Sequence, residues 1–172
     1  SVKAAMLSAM DVHGNPSSIH GEGRRARKLM DDAREALAFK LGCLPQMMTF
    51  TSSGTEANNM ALRGVSAEVI LVSAIEHPSV LAAAKASGKT VELIPVDEFG
   101  RVQLDALQAM LGRPNTLVSV MIANNETGVV QPVTDVTDIT HKAGALVHVD
   151  AVQAFGKPVL VSGIALSGDD AA

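Results

Sequence analysis

Residues 69–87 read VILVSAIEHPSVLAAAKAS and contain the two kinds of element that decide the fold. The run at 69–72 is continuously apolar, which is typical of a short strand that is covered on both faces. Pro78 stands where a helix can begin, and the pattern predicts a helix at 80–87. The stretch therefore predicts a buried strand, a polar link and then a helix.

The same alternation extends along the chain in both directions. A helical stripe of apolar residues occupies 20–41, and the chain begins within another helix. Further helices are predicted at about 55–64, 80–87, 104–111 and 133–142. Strands are predicted at 48–51, 69–72, 91–96, 117–122 and 145–149. This order predicts an α/β fold with a mostly parallel sheet and helices on both faces.

The composition favours one soluble globular domain. The 172 residues are 47% hydrophobic and 19% charged, and no linker, repeat or charge block divides them. A net charge of −4 argues against nucleic acid as a partner, and no apolar run approaches the roughly 18 residues that a membrane helix needs.

The single cysteine, Cys43, excludes an internal disulfide and fits a cytoplasmic protein. We interpret Cys43 as a partly buried thiol rather than a nucleophile. No sequence spacing typical of a metal site is present.

Polar residues that can take part in binding or catalysis follow four of the predicted strands. The segments are SSGTE after 48–51, SAIEHPS after 69–72, ANNETG after 117–122 and DAVQ after 145–149. In parallel sheets, ligands bind beyond the carboxyl ends of the strands. The four segments together therefore predict a ligand site at that edge of the sheet.

Several of these residues have both a structural and a functional interpretation. Gly54 and Thr55 can cap the following helix, or they can admit an anion to its first amides. His77 can be a structural hydrogen-bonding group, or its ring can stack on a planar ligand and move protons. Asn125 can hold a turn or donate to a ligand.

Asp150 ends an apolar strand, where an unpaired carboxylate is costly, so it needs a partner. A cationic ring nitrogen of a bound ligand could be that partner, and Gln153 can reach the same ligand from the first turn of the following helix. These groups together indicate pyridoxal phosphate as the ligand. They would provide a cradle for its phosphate, a ring that stacks on it, an amide donor and an anion that pairs with its heteroaromatic nitrogen. No GxGxxG or GxxxxGK[ST] motif supports a dinucleotide or P-loop site.

At this point the chain resembles the cysteine desulfurases of the class V aminotransferase group, which have the large-domain architecture of fold-type I pyridoxal phosphate enzymes. The matching stretches are GNPSSIHGEGRRAR (14–27), FTSSGTEANNMAL (50–62), EHPSV (76–80), ANNETGVVQP (123–132) and HVDAVQAFGK (148–157).

The resemblance implies a role for each candidate residue. Gly54 and Thr55 would hold the cofactor phosphate, and His77 would stack on the ring and assist proton transfer as the catalytic residue. Asp150 would pair with the pyridinium nitrogen. The groups near the ring hydroxyl would be Asn125 and Gln153.

The resemblance also implies a reaction. Such enzymes convert L-cysteine to L-alanine and an enzyme persulfide, whose sulfur feeds iron–sulfur clusters and other products. A homodimer and a sulfur-acceptor protein are implied as well. The alternatives are another class V aminotransferase or lyase, a non-catalytic dimerisation or binding module, and a Rossmann-like nucleotide binder.

The sequence departs from the family pattern at both ends. The family's cofactor-tethering lysine lies in a Ser-x-His-Lys segment, whereas this chain ends at SGDDAA (167–172). Lys157 matches a different family position. The small C-terminal domain with the persulfide cysteine is missing, and Cys43 does not inherit that role. We therefore expect residues 1–172 to be one cofactor-binding large domain, incomplete at both ends and inactive alone.

Overall fold

The computed structural model describes residues 2–156, which belong to two compact units that divide between Phe50 and Thr51. Lys157 and the terminal SGDDAA lie outside the described residues. A single cofactor-binding domain, incomplete at both ends, stays a prediction.

The first unit is helical. It contains α1 (Val2–Met10), α2 (Gly21–Leu41) and a short 3-10 turn (Pro45–Met47). The predicted helix at 20–41 is thus confirmed to within one residue. Cys43 is half-buried, and its Sγ lies 3.7 Å from Sδ of Met48. Among the helices of residues 2–156, none is long and apolar enough to cross a membrane.

Two glycines allow a tight loop to fold against the first turn of α2. A Cβ at Gly23 would lie 2.6 Å from the carbonyl oxygens of Asn15 and Ser18. Gly14 has φ +134°, and a Cβ there would lie 2.7 Å from the backbone of Glu22. Both positions require glycine, because any side chain would overlap backbone atoms.

The second unit is an α/β layer structure. Its strands are β1 (Val69–Ser73), β2 (Thr90–Ile94), β3 (Thr116–Ser119) and β4 (Leu146–His148). Its helices are α3 (Gly54–Gly64), α4 (Pro78–Lys85), α5 (Leu104–Met110) and α6 (Val133–Lys142). All strand pairs are parallel, in the order β2-β1-β3-β4. The predicted parallel sheet is therefore confirmed.

The central strand β1 is buried on both faces, which explains its uninterrupted apolar sequence. Ile70 belongs to one apolar cluster with Leu62 of α3 and Val80 of α4. Leu71 belongs to a second cluster with Leu107 of α5 and Val136 of α6. Each fully buried aliphatic side chain contributes about 1.5–3 kcal/mol to folding. Helices on both faces of the sheet are thereby confirmed.

The topology places a crevice between β1 and β3. The chain leaves β1 through α4 to reach β2 on one side, and then returns through α5 to β3 on the other side. Right-handed crossovers in opposite directions place α4 and α5 on opposite faces. The carboxyl ends of β1 and β3 therefore form the switch point where such folds bind ligands.

The predicted strand at 48–51 is wrong. These residues form no strand, although Met48 is extended at φ −95° and ψ 128°. An extended segment becomes a strand only when a neighbour pairs with it, and none does within residues 2–156. The preceding turn also engages the Met48 amide, which donates to Pro45 O at 3.1 Å. Three strand ends, rather than four, therefore contribute to the site.

Candidate cofactor site

An open cleft of about 220 Å³ lies at the carboxyl edge of the sheet in the second unit. The structure brings all six sequence-predicted site residues to this cleft. Its lining consists of Gly54, Thr55, Asn58, His77, Ser79, Met121, Ala123, Asn125, Asp150, Val152 and Gln153. These side chains come from the starts of α3 and α4 and from the segments that follow β3 and β4.

The start of α3 presents backbone amides to the cleft. Ser53 is the N-cap, and its side chain accepts from the Glu56 amide at 3.3 Å. Gly54 and Thr55 are the first two helical residues, and no hydrogen bond is described for their amides within residues 2–156. Capping by Gly54 or Thr55 is thus not what the structure shows, since Ser53 performs it. The two free amides and the helix dipole can hold an anion.

Glu56 completes the local order of this turn. Its carboxylate accepts from the amide and the hydroxyl of Ser52 at 2.6 and 2.7 Å. These hydrogen bonds lower the pKa of Glu56. The two serines and Glu56 therefore fix the path of the chain into α3, as in a capping box.

Gly54 keeps the cleft open beside the segment that follows β4. A Cβ at this position would lie 3.0 Å from Cγ2 of Val152, closer than ordinary van der Waals contact. Because both residues line the cleft, a larger residue at position 54 would reduce the space beside the free amides.

His77 has a structural and a site role at once. It is the N-cap of α4, and its Nδ1 accepts from the Ser79 amide at 3.1 Å. Nδ1 also lies 2.8 Å from Oγ of Ser79. Since the ring lines the cleft as well, the capping bonds hold it where it can face a ligand.

Asn124, and not Asn125, holds the turn after β3. Its Oδ1 accepts from the amides of Glu126 and Thr127 at 2.9 and 2.8 Å, and its Nδ2 donates to Ile75 O at 2.9 Å. The neighbouring Asn125 lines the cleft. The turn interpretation thus applies to Asn124, which leaves the side chain of Asn125 to the site.

Asp150 carries a negative charge that its protein surroundings compensate only in part. Its oxygens accept from Asn58 Nδ2 and from the Val152 amide, each at 3.0 Å. It forms no ion pair within the part of the chain that the structure describes. A half-buried carboxylate in a cleft with no cationic partner suits a protonated ring nitrogen.

Two titratable groups, the buried Glu76 and the half-buried His148, interact electrostatically with Asp150. Glu76 is 5% exposed, and its Oε1 accepts from the Met121 amide, while Oε2 has no described partner. Burial raises the pKa of Glu76 to about 7, and the charge of Asp150 adds to the rise. Burial lowers the pKa of His148, against the opposite effect of Asp150. For both groups burial is the larger effect, and the charge of Asp150 is the smaller one.

Sequence reasoning missed the residues that support the site rather than face the ligand. They are Asn58, Glu76, Ser79 and Asn124. One of them had a detectable signal: Asn58 follows Gly54 by four positions on a predicted helix, and that spacing places both residues on the same face.

The cleft fits both charged parts of pyridoxal phosphate. The free amides at the start of α3 suit the phosphate, and the carboxylate of Asp150 suits the protonated pyridine nitrogen. His77 supplies a flat ring.

Known proteins support the same conclusion. The aminotransferase class-V family profile matches residues 2–162. The chain is 44% identical to a cysteine desulfurase of Cereibacter sphaeroides, over 92% of this chain and 44% of that one. It is 40% identical to a cysteine desulfurase of a Nostoc species, over 91% of this chain and 41% of the relative.

Solved structures agree. A NifS-like protein from Rickettsia africae has a TM-score of 0.83 and 38% identity, and the match covers 91% of this chain and 45% of that one. Another NifS-like protein has a TM-score of 0.81 and 41% identity, with 88% and 45% covered. The chain thus spans less than half the length of these relatives. Their large-domain fold, and the profile that matches residues 2–162, show that the chain belongs to the aminotransferase class-V family, whose members are pyridoxal phosphate enzymes.

Proposed function

We propose that the chain provides the cofactor-binding part of a pyridoxal phosphate-dependent cysteine desulfurase. One observation carries the proposal: the start of α3, the ring of His77 and the carboxylate of Asp150, which has no ion-pair partner within residues 2–156, line a single cleft. The names of the most similar curated relatives favour desulfuration over other reactions of the family.

Each residue has a physical task in this proposal. The amides of Gly54 and Thr55, with the Thr55 hydroxyl, bind the phosphate through hydrogen bonds and the helix dipole. Asp150 holds a proton on the ring nitrogen. His77 stacks on the ring, while Asn125 and Gln153 orient it by hydrogen bonds.

When bound, pyridoxal phosphate supplies an electron sink for bond changes at the α-carbon of an amino acid. The protein's part is to place the ring and to keep its nitrogen protonated. The carboxylate of Asp150 does so because a proton shared with an anion is harder to lose. The two protein donors to Asp150 hold that carboxylate in place.

The proposed substrate is L-cysteine, and the proposed products are L-alanine and sulfur held as an enzyme persulfide. We also propose a cytoplasmic homodimer that passes sulfur to an acceptor protein. The described lining of the cleft contains no lysine and no cysteine. In this proposal a covalent tether and a persulfide carrier come from residues outside that lining.

A titration with pyridoxal phosphate tests the binding step. The purified protein is mixed with increasing cofactor, and the change in the visible absorption band gives the dissociation constant. Asp150→Asn removes the charge and keeps the shape. We expect binding about 10- to 150-fold weaker, since a charge-assisted hydrogen bond contributes roughly 1.5–3 kcal/mol. Equal affinity of the two proteins would overturn the assignment of Asp150.

Product analysis then separates the possible reactions. L-alanine and sulfide formed together from L-cysteine by the full-length protein support desulfuration. Turnover of other amino acids without sulfide indicates a different class V reaction. Cofactor binding without any turnover indicates a binding module, and nucleotide affinity without a cofactor band indicates a nucleotide binder.

A further inference from the structure

The side-chain amide of Asn58 joins two groups of the cleft that have separate tasks. Its Nδ2 lies 3.0 Å from Oδ2 of Asp150 and 3.1 Å from Oγ of Ser79. Asn58 is only 5% exposed, so bulk water does not compete strongly for these bonds. The amide therefore connects the segment after β4 with the start of α4.

The acceptor at Asp150 fixes the orientation of this amide. A carboxylate oxygen accepts hydrogen bonds, so the atom of Asn58 that approaches Asp150 must be the nitrogen and not the oxygen. The amide nitrogen has two hydrogens, and the second one points to Ser79 Oγ. Both hydrogens of Asn58 are thus committed to the site.

The next link is the hydroxyl of Ser79. Because its oxygen accepts from Asn58, its single hydrogen is available to His77 Nδ1, which lies 2.8 Å away. The Ser79 amide also donates to Nδ1, at 3.1 Å. A backbone N–H can only donate, so Nδ1 must be the acceptor and can carry no proton itself. The proton of the neutral ring is therefore on Nε2.

We propose that Asn58 is a positioning residue which directs the Ser79 hydroxyl to Nδ1 of His77, where it reinforces the tautomer that the Ser79 amide sets, and at the same time orients the carboxylate of Asp150. This inference deepens the proposed function and rests on it for the identity of the ligand. The juxtaposition itself consists of four described hydrogen bonds, from Asp150 through Asn58 and Ser79 to His77.

A chemical consequence follows for His77. In this state the ring offers Nε2–H as a hydrogen-bond donor. Nδ1 can take up a proton only if the ring releases the Ser79 amide, and that release removes the cap of α4. The arrangement therefore favours a stacking and donating ring in the resting protein, and it ties any proton uptake at Nδ1 to a movement at the start of α4.

Long-range proton–nitrogen NMR of the imidazole rings tests the tautomer directly. The full-length protein is labelled with ¹⁵N-histidine and studied without cofactor at about pH 8.5, where an ordinary imidazole with a pKa of about 6.5 is neutral. The signals of His77 are those lost in His77→Gln. We expect an unprotonated Nδ1 and a protonated Nε2. A protonated Nδ1 would overturn the proposal.

The role of Asn58 is tested in the same spectra. Asn58→Ala removes the donor that orients the Ser79 hydroxyl, so we expect the Nδ1 signal of His77 to shift as this second hydrogen bond weakens, while the Ser79 amide still keeps Nδ1 unprotonated. Asn59→Ala is the matched control, because the Asn59 amide bonds only to Thr55 O of its own helix in the described residues. Unchanged His77 signals in Asn58→Ala would refute the role.

If Asn58→Ala does not fold, Ser79 provides the equivalent test. Ser79→Ala removes the hydroxyl link and should shift the His77 signals, whereas Ser79→Thr keeps a hydroxyl and should restore them. Identical spectra for all three proteins would overturn the proposal. Because the sample contains no cofactor, these outcomes do not depend on whether the protein binds pyridoxal phosphate.

Discussion

The buried carboxyl of Glu76 makes the stability of the second unit dependent on pH. This side chain is 5% exposed, accepts one hydrogen bond from the Met121 amide and has an oxygen without a described partner. Burial, supported by the charge of Asp150, raises its pKa from the ordinary 4.5 to about 7. Glu76→Gln keeps the shape and removes the titration.

The direction of the pH dependence follows from which state, folded or unfolded, binds the proton of Glu76 more tightly. The folded protein binds it more strongly than the unfolded chain, so the stabilisation is fully present below about pH 4.5 and is lost as pH rises through about 7. At about 1.4 kcal/mol per pKa unit, the gap between the two pKa values is worth about 3 kcal/mol. Between about pH 5 and pH 8.5, wild type should lose about 2–3 kcal/mol relative to Glu76→Gln.

Urea unfolding followed by far-UV circular dichroism at the two pH values measures this difference. Groups other than Glu76 titrate equally in both proteins, so the quantity to compare is the free energy of unfolding of the variant minus that of wild type. Glu98→Gln, at an exposed glutamate, is the control for the substitution itself. If the Glu76→Gln difference is constant with pH, the burial argument for Glu76 is refuted.

Two glycine substitutions, each with a matched control, test close contacts. Gly54→Ala places a Cβ 3.0 Å from Cγ2 of Val152. We expect it to weaken pyridoxal phosphate binding about tenfold in an absorption titration. The control is Gly64→Ala, whose Cβ has open space around it and should leave the affinity unchanged. Equal affinities would show that the cleft tolerates the methyl group. Gly23→Ala places a Cβ 2.6 Å from two carbonyl oxygens. We expect it to lower the free energy of unfolding, measured by urea titration, by about 1–3 kcal/mol. The control, Gly21→Ala, places its Cβ in open space and should not lower the free energy of unfolding. A Gly23→Ala protein as stable as wild type would contradict the tight loop.

The sequence predicts best those helices and strands whose own residues carry the full pattern of buried and exposed positions. The helix at 133–142 has the predicted bounds, and β1 extends one residue beyond the predicted 69–72. Both carry an apolar pattern that matches their surroundings without any information from distant residues. The segment at 48–51 reads MTFT and alternates apolar and polar residues as a strand can, but strand formation depends on a pairing partner, and that partner is a property of the tertiary structure.

The sequence predicts the residues of the site that would face the ligand, but not those that support them. The predicted residues follow strands of the sheet, except for Gly54 and Thr55, which begin α3, and the order of strands and helices brings all six to one cleft. The supporting contacts are different, because Asn58 and Asp150 are 92 positions apart and their bond depends on the relative placement of α3 and β4. The choice between Asn124 and Asn125 depends on local backbone geometry, which neighbouring identical residues do not reveal.

The protonation state of the pyridine nitrogen in bound pyridoxal phosphate is the most direct test of the proposed site. Cofactor labelled with ¹⁵N in the ring is added to the purified protein, and its nitrogen resonance is compared between wild type and Asp150→Asn. The geometry predicts a protonated nitrogen in wild type and an unprotonated one in the variant. An unprotonated nitrogen in the wild-type complex, or the same resonance in both proteins, would contradict the pairing of Asp150 with the cofactor.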